Sequence, residues 1–298
     1  MTDQEYLESV LKSQTLENGS LELSALREHR ADVEGLLRTG FADASPNIRY
    51  GGSHAKGTMN KVSYDLDLAC YFDRDDCVAG DTLEEIYENV AQALSVKYRI
   101  ERKASAIRLR DCEAGTDFHI DVVPGRFVDA ESDDVFLYQS LGEKDRLKTN
   151  LRVHINHVKE SGVVPAIRLV KLWAFLNQIH VKTFVLELLV IDKLAGRTHA
   201  SLSDQLAHFF EQLRDGAGQL HVADPANPFG NDLSAALSED VQSLLGTTAR
   251  QTLLKFEASG WVSVFGDTPE FANARRIAEL ARLASAATVR PQPHCDNG

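Results

Sequence analysis

The sequence contains 298 residues, of which 43% are hydrophobic and 26% are charged, and its formal net charge is −12. This length and composition allow one large or two modest globular units with a substantial core. The negative charge argues against a long nucleic acid as ligand, because its phosphates would be repelled. No apolar run has the length of a transmembrane helix, and the first five residues do not resemble a signal peptide. We therefore expect a cytoplasmic protein that does not enter membranes.

A glycine-rich turn follows an N-terminal segment, up to about residue 41, whose hydrophobic residues recur with helical spacing. The turn reads Gly51-Gly52-Ser53. Glycine lets the backbone come close to a ligand, and the N–H groups of such a turn form an anion-binding cradle together with a hydroxyl. The turn therefore predicts a phosphate site at Gly52 and Ser53.

Two aspartates come shortly after this turn. Eleven residues separate Ser53 from Asp65, and Asp65 and Asp67 alternate with Leu66 and Leu68, so a strand here would place both carboxylates on one face. Two close carboxylates raise each other's pKa unless a cation lies between them. Mg²⁺ suits this position, since it binds carboxylate oxygens and completes its shell with water and substrate phosphates. Together, the turn and the two aspartates indicate a triphosphate held through a metal ion.

The basic residues of this acidic chain concentrate between residues 97 and 110, a stretch with six basic residues and one acidic residue. Alternation within the stretch favours a strand, with Arg108 and Arg110 on its polar face. Two interpretations remain open. These arginines could face a nucleotide, or they could be the charges that a solvated strand edge often carries.

A second alternating segment ends at Pro124. It places Asp117, His119 and Asp121 on one strand face, so any of the three could point towards a metal ion. Asp121 is followed by hydrophobic residues, whereas Asp117 follows a turn-like stretch. We therefore expect Asp121 to be the inner carboxylate, beside Asp65 and Asp67.

From about residue 150 onward the pattern is helical. The segment from Pro165 to Asn177 is apolar on nearly all sides, which indicates a buried helix, yet it contains Lys171. A buried lysine needs an anionic partner or loses its proton. A triphosphate and an internal pair with Glu187 would each supply that partner. The next apolar segment begins with Thr183, whose hydroxyl is able to form a hydrogen bond.

These motifs, in this order, resemble the DNA polymerase beta-like nucleotidyltransferase superfamily. Within it they resemble the cyclic GMP-AMP synthase-like oligonucleotide cyclases of bacterial anti-phage signalling. The resemblance extends from about residue 50 to residue 231. It includes the Gly52-Ser53 turn, the aspartates at 65 and 67, and Asp121 before its hydrophobic-hydrophobic-proline end. It also includes Lys171 before a tryptophan, the segment that begins with Thr183, and an Asp-Pro loop at residues 224–231.

The resemblance implies specific roles for these residues. Asp65, Asp67 and Asp121 would hold two Mg²⁺ or Mn²⁺ ions, and Ser53, Lys171 and Thr183 would bind the β- and γ-phosphates. The substrates would be nucleoside triphosphates, ATP among them, and the product a cyclic di- or oligonucleotide released with pyrophosphate. Tyr64 and His54 depart from the family's usual residues and could alter the acceptor pocket and base stacking.

The resemblance also implies an α/β (α+β) fold, divided into three parts. We expect a catalytic lobe with a mixed sheet over residues 1–148, a helical lobe over 149–288 and a disordered tail over 289–298. A regulatory protein acting on the tail is a further expectation, because some members of this family are conjugated through their C-terminus.

Two other functions fit the same residues. A nucleotidyltransferase could use another acceptor, such as an antibiotic hydroxyl, a tRNA end or a protein side chain, although the acidic charge argues against the tRNA end. Alternatively, the chain could be a nucleotide-binding module that has lost catalysis.

Overall fold

A computed structural model describes residues 1–110, 119–141, 144–216, 218–231 and 233–268. Asp117 and the predicted tail lie outside these ranges. The helices are α1 (Asp3–Ser13), α2 (Leu21–Gly40), α3 (Gly52–Lys56), α4 (Leu83–Leu94), α5 (Leu151–Lys159), α6 (Val164–Leu176), α7 (Thr183–Lys193), α8 (Leu202–Asp215), α9 (Glu239–Ser259) and α10 (Val262–Phe265), with a 3₁₀ turn at Ser234–Leu237. The strands are β1 (Asn47–Tyr50), β2 (Leu66–Phe72), β3 (Arg99–Arg102), β4 (Ile107–Arg110), β5 (His119–Phe127), β6 (Val135–Tyr138) and β7 (Arg146–Thr149).

The strands form one mixed sheet, which confirms the predicted α/β class. Its main order is β1-β2-β5-β4-β3, and β6 and β7 continue from the far end of β5. Strands β2 and β5 are parallel, whereas the other pairs are antiparallel. A mixed sheet of this kind follows from the connections: the hairpin between β3 and β4 is short, whereas β2 reaches its parallel neighbour only after α4 and that hairpin.

The two faces of the sheet differ in chemistry. Alternate residues of β2, β4 and β5, among them Leu66, Leu68 and Ile120, pack against α2 and α4 in one hydrophobic core. We call this core the sheet core. Since side chains alternate along a strand, Asp67 and Asp121 lie on the opposite face. They lie near the start of β2 and β5, so the carboxylates gather at the amino ends of the two parallel strands.

The helix that supports the sheet core begins at a well-formed cap. The Thr82 hydroxyl accepts from the backbone N–H of Glu85, and the Glu85 carboxylate accepts from the backbone N–H of Thr82. Such a capping box satisfies two N–H groups that a helix would otherwise leave unpaired. It fixes where α4 begins against the sheet.

A second hydrophobic core is formed mainly by helices, with contributions from α1 and α5 to α10. We call it the helical core. Trp173 of α6 is fully buried there, and its indole N–H donates to Thr252 of α9 (2.8 Å). Helix α1 packs here even though it precedes the sheet in the sequence. The division of the chain at residues 148 and 288 remains a prediction.

Helix α6 is less uniformly buried than its sequence predicts. Phe175 is 51% exposed and Leu176 is 46% exposed. Both residues line an open cavity of about 560 Å³ beside the loop that leads to α7. Within the described ranges, none of the helices combines the length and the apolar character needed to cross a membrane.

The basic stretch forms two strands where the sequence predicts one. Strands β3 and β4 pair as a hairpin, closed by a hydrogen bond from the backbone N–H of Lys103 to the carbonyl of Ala106 (2.9 Å). The predicted facing is confirmed for β4, since Ile107 and Leu109 enter the sheet core and Arg108 lies on the polar face. The hairpin brings Arg108 opposite Asp121 of β5.

Candidate active site

The glycine-serine turn lies directly against the Asp67 carboxylate. The backbone N–H of Gly51 donates to the Asp67 carbonyl (2.8 Å), which ties the turn to β2. Gly52 has a φ of +52°, and a Cβ at this position would lie 1.5 Å from Oδ2 of Asp67. No other residue fits there without displacing the carboxylate, so glycine at position 52 is a requirement of the site.

Ser53, next in the turn, has a buried hydroxyl that makes no hydrogen bond within the described part of the chain. A buried polar group without a partner costs about 1–3 kcal/mol, and native structures contain few of them. A phosphate oxygen would accept a hydrogen bond from this hydroxyl. The arrangement fits the phosphate cradle that the sequence predicts.

Six of the seven predicted site residues line one cleft of about 270 Å³. The lining residues are Gly52, Ser53, Lys56, Ser63, Asp65, Asp67, Lys171, Thr183 and Phe184. The seventh, Asp121, is the direct neighbour of Asp67 across the parallel β2–β5 pair. Adjacent strands are about 4.8 Å apart, so the two aspartates are neighbours on the same face of the sheet. The residues that we selected for phosphate and for metal binding thus occupy one place, although their roles stay predictions.

A buried ion network lies beneath the cleft. Glu187 of α7 has no solvent exposure, and its carboxylate accepts from Lys56 (2.5 Å), from the Thr58 hydroxyl (2.6 Å) and from Lys171 (3.2 Å). Lys171 also donates to the carbonyl of Thr58 (2.9 Å). The network therefore joins the segment after the phosphate turn to α6 and α7 of the helical core.

The sequence left two anionic partners open for Lys171, a triphosphate and Glu187. The structure contains the internal pair with Glu187. Burial lowers the pKa of Lys171, and the charge of Glu187 opposes that shift only in part. Burial acts on Glu187 in the direction of a higher pKa, but Lys56 and Lys171 outweigh it and lower the pKa of this carboxyl. A second anionic partner would stabilise the Lys171 ammonium further, so a phosphate contact remains compatible with the internal pair.

One wall of the cleft is supported by the Asp-Pro loop. The Phe184 ring lines the cleft, where Nζ of Lys56 is 4.9 Å from its centroid and the centroid of the His154 ring is 4.5 Å from it. His154 is in turn hydrogen-bonded to Asp224 (2.6 Å), which also accepts from Asn231 (2.6 Å). The loop thus fixes an aromatic surface in the cleft. No site role was predicted for Phe184, which follows Thr183 in the apolar segment.

The polar face of the basic hairpin belongs partly to the site. Arg108 donates two parallel hydrogen bonds to Asp121, from Nε to Oδ1 (2.8 Å) and from Nη2 to Oδ2 (2.7 Å). Arg110 instead pairs with Glu101 and is about half exposed. Of the two interpretations left open, Arg110 fits the second, a solvated edge charge. Arg108 is paired with Asp121, and a nucleotide-facing role for it stays a prediction.

The net charge of the site's side chains is compatible with bound cations. Asp65, Asp67, Asp121 and Glu187 bring four negative charges to the site and Lys56, Lys171 and Arg108 bring three positive charges, so these seven side chains carry one net negative charge. A triphosphate adds more negative charge and would need divalent cations beside it. As the side chains stand, no three metal-ligating residues of the described ranges converge on one point, and Asp121 is directed to Arg108.

Comparisons with solved structures show which proteins share this fold. The CdnC protein of E. coli MS115-1, solved with ATP, matches with a TM-score of 0.69 and 19% identity, over 90% of this chain and 98% of that one. The CdnE cyclic dinucleotide synthase of Elizabethkingia meningoseptica, solved with GTP and Apcpp, matches with a TM-score of 0.64 and 14% identity, over 87% and 99%. The DncV cyclic AMP-GMP synthase of Vibrio cholerae matches with a TM-score of 0.60 and 14% identity, over 89% and 85%.

These matches confirm the predicted fold, which the chain shares with bacterial cyclic dinucleotide synthases over most of its length. CdnC has also been solved in a complex with HORMA-deltaN. No protein-family model and no curated protein matches the chain. At such low identity the matches establish the fold, and the activity must be argued from the site.

The contact between Gly52 and Asp67 gives the first prediction. Gly52→Ala should reduce affinity for a nonhydrolysable triphosphate at least about 100-fold in isothermal titration with Mg²⁺, because the new Cβ must displace the carboxylate or the turn. Gly57→Ala is the matched control. Gly57 also has a positive φ, of 73°, but no atom lies within 4 Å of its added Cβ. That variant should lose about 1–2 kcal/mol of stability from backbone strain and keep its affinity within about threefold. Equal losses of affinity would contradict the contact.

The buried ion network around Glu187 gives the second prediction. Glu187→Gln leaves two buried lysines without their anionic partner and should cost about 3–5 kcal/mol in urea unfolding at neutral pH. Asp192→Asn, on the same helix but 54% exposed, should change stability by less than about 0.5 kcal/mol.

The stabilisation by Glu187 also has a defined pH range. Its folded-state pKa is lowered, so the stabilisation is complete above the unfolded pKa of about 4.3 and is lost as pH falls through the folded value. The difference between wild type and Glu187→Gln should therefore shrink below about pH 4. A difference that grows on acidification would contradict the assignment.

Proposed function

We propose that the protein is a metal-dependent nucleotidyltransferase that joins nucleoside triphosphates into a cyclic di- or oligonucleotide and releases pyrophosphate. The observation that carries this proposal is the single cleft in which the phosphate turn, Asp65 and Asp67 meet Lys171 and Thr183. The fold shared with cyclic dinucleotide synthases supports the same reaction class.

In this proposal Asp65, Asp67 and Asp121 hold two Mg²⁺ or Mn²⁺ ions. When bound, such a pair of ions stabilises the attacking and leaving oxygens of an in-line displacement. The chain's part is to place three carboxylates along one edge of a rigid sheet. Pairing of β2 with β5 fixes two of them, and the third lies immediately before β2.

The triphosphate would be bound by groups on both sides of the cleft. The Ser53 hydroxyl, which is buried and makes no hydrogen bond in the described part of the chain, would donate to a phosphate oxygen. Lys171 would turn one N–H from its longest contact, the Thr58 hydroxyl at 3.3 Å, towards the phosphates. Thr183 would add its hydroxyl at the start of α7, where the helix dipole also favours negative charge.

Phe184 completes the proposed nucleotide site. Its ring lines the cleft and contacts the His154 ring. A base could stack on this ring, because every base has a π-face and aromatic side chains provide the matching surface. Such a contact would orient the sugar without selecting a particular base.

The acceptor is the least defined part of the reaction. Cyclisation requires a second nucleotide as acceptor, and the two synthases named above make cyclic dinucleotides. A different acceptor hydroxyl would use the same donor site. We also propose a role in anti-phage signalling and a cytoplasmic location, on the basis of the resemblance and the sequence, and a regulatory protein partner has a parallel in the complex of CdnC with HORMA-deltaN.

The test is pyrophosphate release from the four nucleoside triphosphates with Mg²⁺ and no other acceptor. We expect release by the wild type and its loss in chelator. Asp67→Asn should lower the rate at least about 100-fold while the protein stays folded, because the ions supply several kcal/mol of transition-state stabilisation.

The control for this variant is Asp75→Asn, since Asp75 is 98% exposed on the loop after β2. It should keep the wild-type rate. If Asp67→Asn kept a tenth of the activity, the metal assignment would be wrong. If the wild type released pyrophosphate only after addition of a separate acceptor, the protein would be a nucleotidyltransferase that uses that acceptor and not a cyclase.

A further inference from the structure

Three charged side chains form a row across the sheet at the site. Arg108 of β4, Asp121 of β5 and Asp67 of β2 are direct neighbours in the strand register. All three therefore point to the same face of the sheet. Asp121 thus lies between Arg108 on one side and Asp67, a residue of the proposed metal site, on the other.

The contact between the first two members of this row is specific. Both oxygens of Asp121 accept from one guanidinium, at 2.8 and 2.7 Å, and the side chains are only 23% and 16% exposed. Such fork-like pairs are stronger than single hydrogen bonds and fix the orientation of the carboxylate. Asp121 is also the one hydrogen-bonding partner of Arg108 in the described part of the chain.

The same two oxygens are those that a divalent cation would bind. A carboxylate oxygen can accept from more than one direction, but a guanidinium across both oxygens occupies the favourable approach and repels a second positive charge. A hard divalent cation requires direct carboxylate oxygens at short distance. Asp121 therefore cannot bind the ion with both oxygens while it accepts both hydrogen bonds from Arg108.

We propose that Arg108 is a positioning residue that holds Asp121 until a divalent cation binds and competes with the cation for this carboxylate. The inference rests on the proposed function, since it assigns Asp121 to the metal site. It implies an order of binding. The cation first meets Asp65 and Asp67, which line the cleft, and Asp121 joins only when the guanidinium yields.

The test measures Mn²⁺ binding to the full chain without nucleotide, by electron paramagnetic resonance, so that it does not depend on turnover. Arg108→Lys keeps the charge but cannot form the fork. We expect it to bind Mn²⁺ several-fold more tightly than the wild type, and Arg108→Gln about tenfold more tightly. Circular dichroism establishes that each variant is folded.

Two controls separate competition from a general charge effect. Arg110→Gln removes the same charge two residues away on the same strand, from a residue paired with Glu101, and should leave the affinity within about twofold. In an Asp121→Asn background, Arg108→Gln should have no effect, because the contested carboxylate is gone.

Each other outcome overturns the inference. Unchanged or weaker Mn²⁺ binding in Arg108→Lys and Arg108→Gln would show that Arg108 only supports Asp121. An equal gain in Arg110→Gln would show a general charge effect. If the wild type and all variants failed to bind Mn²⁺ even with a nonhydrolysable triphosphate, the proposed metal site would fail, and the inference with it.

Discussion

The site depends on one pairing, the parallel register that places Asp67 of β2 beside Asp121 of β5. These aspartates are 54 positions apart in the sequence, so only the sheet brings them together. The same register places the hydrophobic neighbours of both aspartates in the sheet core. The residues that stabilise the sheet therefore also determine the face on which the two carboxylates lie. The glycine-serine turn then closes over Asp67, at a position where any side chain would collide with it. A shift of one residue in this pairing would bury the carboxylates and dismantle the site.

The cleft also needs the helical core, which supplies Lys171, Thr183 and Phe184. Glu187 connects this core to the chain that follows the phosphate turn, through two lysines and a threonine hydroxyl. A buried pair of this kind contributes little net stability against an apolar alternative, but losing one partner is costly. Its effect is to fix the position of one half of the site relative to the other. The residues proposed to bind phosphate and the aspartates thus meet in a cleft that neither core forms alone.

The sequence predicts which residues lie together at the site better than it predicts their contacts. Alternation and spacing are local patterns, and they locate Asp65, Asp67, Asp121, Gly52 and Ser53 without knowledge of the fold. The partner of Arg108 could not be predicted, because it depends on a hairpin at residues 103–106 and on the pairing of β4 with β5. The partners of Glu187 lie up to 131 positions away. For Lys171 the sequence allowed either an internal partner or a phosphate. The structure shows the internal one, while its buried position at the cleft keeps the other available.

The central claim is that these carboxylates and the glycine-serine turn bind a nucleoside triphosphate through divalent cations. A crystal structure of the wild type with Mn²⁺ and a nonhydrolysable triphosphate, with anomalous scattering to locate the ions, tests it most directly. We expect anomalous peaks in direct contact with the oxygens of Asp65 and Asp67, and β- and γ-phosphates within hydrogen-bonding distance of Ser53 and Lys171. Ions bound elsewhere, or a nucleotide in the apolar cavity beside Phe175 with the cleft empty, would contradict it.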